Sequence, residues 1–166
     1  MHTDKILLRP FVIEDAPIIL GWCKDKHAFR LWSADRYKDY PATPEDMRYQ
    51  YQGKEKIPLT MIEDGKIVGH ILLRYPTNDT DVIRFGFVIV DDTLRSIGYG
   101  KKLLELAIDY TQERLHARKI TLGVFCENRV ALECYKSVGF RVTTNDSYII
   151  DGEEWNGYEM GLMLKR

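Results

Sequence analysis

An apolar run, Phe85-Gly86-Phe87-Val88-Ile89-Val90, gives way to the turn Arg95-Ser96-Ile97-Gly98-Tyr99-Gly100-Lys101 and then to apolar residues at helical spacing from Lys102 to Leu115. Such a chain carries a strand into a tight turn and leaves it along a helix. A helix that opens on a glycine-rich turn has unpaired backbone N–H groups in its first turn, and the aligned peptide dipoles add partial positive charge there. The turn is a candidate anion site. It serves equally well as a plain connection, and by itself it does not separate the two uses.

Spacing removes the two best-known phosphate loops. A P-loop needs a glycine five residues ahead of Gly-Lys-Ser/Thr, but Arg95 occupies that place and Lys102 follows Lys101. A dinucleotide fingerprint needs a third glycine where Leu103 stands.

The rest of the chain supplies a sheet for the turn to sit on. Lys5 to Arg9 reads as a strand stopped by Pro10, and Glu14-Asp15-Ala16-Pro17 opens a helix running to about Lys24. From Asp25 to Gln52 the pattern gives short helices, with a second start at Thr43-Pro44-Glu45. The aromatics Trp32, Tyr37, Tyr40, Tyr49 and Tyr51 either cover the core or form a substrate wall. Pro58 to Glu63 and Lys66 to Tyr75 flank Asp64-Gly65, a hairpin turn, and a third strand covers about Asp81 to Val90. After the helix, whose stripe of Leu103, Ala107 and Tyr110, widened by Leu104, Ile108 and Leu115, packs on a sheet, Lys119 to Phe125 returns as a strand parallel to the one ending at Val90. Asn128 caps a helix over Arg129 to Val138, and Gly139 ends it before a strand that starts at Phe140. A last hairpin joins Tyr148-Ile149-Ile150 to Trp155–Leu164 near Asp151-Gly152. The expected fold is α/β in the α+β sense: a mixed, mostly antiparallel sheet with one parallel pair, flanked by helices.

At 166 residues and 45% hydrophobic content the chain reads as one domain over 1–166. Its 24 basic and 25 acidic residues nearly cancel, so no global field recruits nucleic acid or an anionic membrane. Cys23, Cys126 and Cys134 form no CxxC pair, which argues against a disulfide framework and a zinc site; no metal is expected. Met1-His2-Thr3-Asp4-Lys5 lacks the apolar core of a signal peptide and no run approaches membrane length, so the expected setting is the cytoplasm.

The order Arg95-x-x-Gly98-x-Gly100, Asn128, Tyr135, Gly139-Phe140 resembles the GNAT superfamily of N-acetyltransferases across essentially the whole domain. Leu8-Arg9-Pro10-Phe11 with Glu14-Asp15-Ala16, and Asp151-Gly152-Glu153 followed by Trp155, further resemble the branch containing ribosomal-protein N-terminal acetyltransferases. The resemblance implies that acetyl-CoA is the co-substrate. Its pyrophosphate would lie on Arg95, Ser96, Ile97, Gly98, Tyr99, Gly100 and Lys101, and its pantetheine arm would pair with Val88, Ile89 and Val90 where the sheet splays. The Ile89 backbone would hold the thioester oxygen, Asn128 would bind the pantetheine amide, and Tyr135 would be the general acid toward the departing thiolate.

The general base is not assigned. Relatives that acetylate peptides carry a glutamate where this chain has Gly123 or Arg84, which argues against that route; His70, Asp81 and Glu127 are the remaining candidates. Neither Cys126 nor Cys134 has a histidine nearby in sequence to activate it, which favours direct attack by a primary amine in a ternary complex over an acyl-cysteine. The acceptor is a small molecule or a protein N-terminus, with Asp79, Asp81 and Glu63 available to draw a cationic one, and the protein is a monomer or homodimer. The alternative is a non-catalytic CoA-binding sensor or interaction module.

Overall fold

The computed structural model describes residues 5–165. The sheet contains β1 (Ile6–Pro10), β2 (Lys56–Glu63), β3 (Lys66–Arg74), β4 (Val82–Val90), β5 (Lys119–Phe125), β6 (Arg141–Ile150) and β7 (Glu153–Met163). The helices are α1 (Ala16–Leu20), α2 (Lys26–Ser33), α3 (Pro44–Gln50), α4 (Tyr99–Glu113) and α5 (Arg129–Ser137). The strand order is β1-β2-β3-β4-β5-β7-β6, antiparallel except for β4 and β5. The expected mixed α/β fold with one parallel pair is the observed one.

Local chemistry accounts for the elements. Asp64 and Gly65 both take positive φ, 50° and 84°, as the two-residue hairpin between β2 and β3 requires. Thr43 and Asp46 close a capping box at the start of α3, with Pro44 in its first turn. The first helix is shorter than the sequence suggests. A 3-10 turn over Ile13–Asp15 precedes it, and the chain leaves the helix axis at Gly21 so that Trp22 and Cys23 can be buried. The stretch that resembles a branch signature has a mechanical job here. Arg9 donates to both oxygens of buried Asp15 at 2.8 Å, and Asp15 also accepts from Thr60 at 2.7 Å, tying β1, the 3-10 turn that leads into α1, and β2 together.

Two main cores lie on opposite faces of the sheet, beside a smaller cluster of Phe125, Ile150 and Trp155. One joins Leu103, Leu104 and Ala107 of α4 and Leu132 of α5 to the sheet, as the helical stripe implies. The other gathers Ile19, Trp22, Phe29, Met47 and Tyr51 from the N-terminal helices and the residues that follow them. Strand β4 serves both. Ile83 and Phe85 belong to the first core, while Phe87 and Ile89 belong to the second, although a regular strand would put all four on one face. A bulge makes the exchange: His70 and Leu72 of β3 face Ile89 and Gly86 of β4, so β4 carries one extra residue, and Phe87 takes φ 51° there.

Candidate active site

The parallel ladder between β4 and β5 consists of Val82–Lys119, Ile83–Ile120 and Arg84–Thr121, and it stops there. Beyond Arg84 the two strands part, and a cleft of about 800 Å³ opens between them. Val88, Ile89 and Val90 line it from β4, where the bulge has turned the backbone.

At one end of the cleft is the turn before α4. Ser96 and Gly98 take positive φ, 64° and 99°, and Gly98 is the N-cap of α4 without any side-chain cap. Helix α4 therefore begins at Tyr99, three residues earlier than its apolar stripe suggests, and its first-turn N–H groups carry no capping acceptor. A Cβ on Gly98 would meet nothing within 4 Å, so backbone conformation is what requires glycine there. Arg95, Ser96, Gly98, Gly100 and Lys101 all line the cleft, and Arg95 is steadied by a 3.4 Å hydrogen bond from Nη2 to the Trp22 carbonyl. Ile97 and Tyr99 do not line it. Ile97 is exposed and the Tyr99 phenol turns aside to donate to Glu63 at 2.6 Å, which leaves only their backbone for an anion.

Helix α5 supplies the opposite wall. The Asn128 side-chain oxygen accepts from the Ala131 N–H at 3.4 Å as the helix cap, and its Nδ2 donors make no hydrogen bond among the described residues. Tyr135, two turns on, lines the same cleft. Burial raises the Tyr135 phenol well above its ordinary pKa, so it stays a proton donor through the neutral range.

None of the three base candidates lines the cleft. His70 is fully buried beneath Tyr51, whose hydroxyl lies 2.6 Å from Nε2, and burial lowers its pKa to about 3. Asp81 sits in the loop before β4 and Glu127 pairs with His27 at 3.2 Å on the surface. Asp79 caps the same loop, and Glu63 is engaged by Tyr99. Of the cysteines, Cys23 and Cys134 line the cleft, but burial raises both thiols, Cys23 to about 11, which disfavours the thiolate. Among the described residues no group of three or more His, Cys, Asp or Glu could hold a metal.

Sequence reasoning missed an ion pair at the cleft, of which Arg84 lines it. Arg84 donates to both carboxylate oxygens of Glu159 on β7, at 2.6 and 2.8 Å, directly over Gly123. A Cβ at 123 would lie 3.1 Å from each partner, so the glycine makes room for the pair. The signal was the coincidence of Gly123 with Glu159 across β5 and β7, visible only once the register Gly123–Glu159 is known. Of the five aromatics, Trp32 lines the cleft, Tyr37, Tyr40 and Tyr51 belong to the core around Phe29, and Tyr49 is 78% exposed.

Comparison with known proteins adds four relations. Residues 26–140 match the family described as Acetyltransferase (GNAT) family. A UPF0039 protein of Schizosaccharomyces pombe is 33% identical over 89 residues, 54% of this chain and 56% of that protein. N-alpha-acetyltransferase 30 of Saccharomyces cerevisiae is 44% identical over 55 residues, 33% of this chain and 31% of that protein, so the chain spans about half or less of these relatives. Among solved structures, spermidine N-acetyltransferase from Vibrio cholerae in complex with CoA and spermine superposes with a TM-score of 0.80 at 19% identity, over 95% of each chain.

Proposed function

Because this chain belongs to the GNAT acetyltransferase family, we propose that it transfers the acetyl group of acetyl-CoA to a primary amine by direct attack in a ternary complex. One observation carries the reading. The uncapped N-terminus of α4, the splayed edge of β4, Asn128 and Tyr135 all face a single cleft. Residues 1–166 act as one domain in this reading, supported by a single sheet that includes both β1 and β7.

Each group has a physical role. The N–H groups of Ser96 to Lys101, with Arg95 and Lys101, hold the pyrophosphate. Val88, Ile89 and Val90 offer strand-like hydrogen bonds to the pantetheine, Asn128 donates from Nδ2, and the backbone N–H near Ile89 stabilises the thioester oxygen as negative charge develops. The amine nitrogen bonds the acetyl carbon, the carbon–sulfur bond breaks, and Tyr135 gives its proton to the departing thiolate. The amine's own proton leaves to solvent through the open cleft, since none of His70, Asp81 and Glu127 lines it. The raised cysteine thiols support direct attack over a cysteine relay.

The second reading, a CoA sensor without turnover, is favoured by the position of His70, Asp81 and Glu127 outside the cleft. Thermal unfolding with acetyl-CoA and thiol release across an amine and peptide panel decide between them. A rise in Tm with thiol release is expected. A rise without release from any acceptor supports the sensor, and no rise removes the donor assignment.

A further inference from the structure

The acceptor end of the cleft carries an unusual charge arrangement. Arg74 of β3 and Arg84 of β4 are direct cross-strand partners in the antiparallel ladder, a position at which like charges repel. Arg84 is neutralised by Glu159, but Arg74 makes no hydrogen bond or ion pair among the described residues, although it is half-buried. Arg36, in the loop after α2, also lines this part of the cleft and its guanidinium is likewise without a partner among the described residues. Burial, then Arg36, then Arg84 hold the Arg74 guanidinium below its usual pKa, with Glu159 and Glu55 opposing more weakly. The charged side chains that line this end are Arg36, Arg74, Arg84 and the exposed Asp35, while Glu159, committed to Arg84, and Glu55 act from outside the lining.

We propose that the acceptor is an amine that also carries a carboxylate, and that Arg74, assisted by Arg36, binds that carboxylate while the amine reaches toward the splay at Ile89. The inference rests on the acetyltransferase reading above. A planar guanidinium without a partner is built to take a carboxylate through two parallel hydrogen bonds, and a bound anion between Arg36, Arg74 and Arg84 relieves their mutual repulsion. A polycation, by contrast, would meet two unneutralised arginines at the wall it must cross. The carboxylate can belong to a free amino acid or to an acidic residue at the start of a peptide, and the probes below distinguish the two.

The test uses L-glutamate, L-glutaminamide, spermidine, and a short peptide beginning with Glu beside the same peptide beginning with Gln. Binding to the CoA-saturated protein is measured by calorimetry, and thiol release with acetyl-CoA gives kcat and KM. The expected result is at least a tenfold preference in both measurements for a carboxylate-bearing probe over its amide counterpart and over spermidine. L-glutamate in the lead identifies a free amino acid, and the Glu peptide in the lead identifies an acidic N-terminus. In Arg74→Gln the preference collapses chiefly through KM, Arg74→Lys restores part of it, and Tm does not fall, because the substitution removes a repelled charge. Equal or better use of spermidine or the amides overturns the proposal while leaving acetyl transfer intact. So does failure of every carboxylate probe to bind when acetyl-CoA still raises Tm. If acetyl-CoA itself gives no Tm rise, the underlying acetyltransferase reading has failed instead, and this inference falls with it.

Discussion

Tyr135 is the residue on which the proposed chemistry turns, and its burial makes a specific demand. With its phenol held protonated well past neutrality, thiol release should stay level on the alkaline side through about pH 9, where a free phenol near 10 would begin to ionise. Tyr135→Phe keeps the ring that packs against Phe140 and removes only the proton, so kcat should fall about a hundredfold with Tm nearly unchanged. Turnover equal to the parent would take Tyr135 out of the acid role. The pairing of Asn128 and Tyr135 was legible in the sequence because a helix fixes the relation of residues two turns apart. Glu159 was not legible. Its carboxylate matters only because Gly123 lies opposite it on the neighbouring strand and because Arg84 reaches both, and no local pattern encodes that meeting.

Among elements, α4 and the α2–hairpin contact carry separate expectations. Gly98 holds a left-handed conformation that a Cβ strains, so Gly98→Ala should cost about 1 kcal/mol in urea unfolding and weaken acetyl-CoA binding in calorimetry as the turn relaxes. Unchanged affinity would mean that the turn does not hold the pyrophosphate. Arg30 of α2, 3% exposed, donates from Nε to Asp151 in the β6–β7 turn at 2.8 Å and from Nη1 and Nη2 to the carbonyls of Tyr37 at 2.6 Å and Lys38 at 3.0 Å. Arg30→Leu strands those carbonyls, a loss of about 1–3 kcal/mol for each buried one, and should free the β6–β7 hairpin to proteolysis near Asp151. The hairpin at Asp64-Gly65 and strand β5 were readable because each is specified by its own residues: positive-φ turn chemistry in one, a β-branched and apolar run in the other. The bulge in β4 was not. An extra residue exists only relative to a partner strand, and an alternating reading of Ile83, Phe85, Phe87 and Ile89 puts them all on the same face.

For the molecule as a whole, two buried groups should shape stability in acid. Burial holds His70 near 3 against about 6.5 in the unfolded chain, so between those values the unfolded state takes up a proton that the folded state refuses. Stability should therefore be fully present above pH 6.5 and decline below it, by up to about 1.4 kcal/mol per pH unit. Asp15 acts in a lower window. Burial raises its pKa, but the bonds from Arg9, the Val12 N–H and Thr60 outweigh that and leave it below the ordinary carboxylate value. Its contribution is present above about pH 4 and lost as pH falls through its folded value. Urea midpoints measured from pH 7 to 3 should show both declines; His70→Asn should flatten the upper one and leave the lower. A parent profile flat between pH 6.5 and 4.5 would contradict the buried neutral histidine.

The three-position ladder between β4 and β5 has a mechanical consequence. Strands β1 to β4 lie on one side of this seam and β5, β7 and β6 on the other, and among the described residues the two sides pair along the sheet from Val82 to Arg84 and from Lys119 to Thr121, with the Asp81 carbonyl accepting from the Arg118 and Lys119 N–H groups just before. A cargo that lays strand-like hydrogen bonds into the seam acts as the missing stitching, so occupancy should stiffen the two strand edges that face the splay, while the core shared by both sides already holds the rest together. Amide deuterium exchange along Phe85–Val90 and Leu122–Phe125 should slow on loading with acetyl-CoA, while the β2–β3 hairpin exchanges at the same rate with or without it.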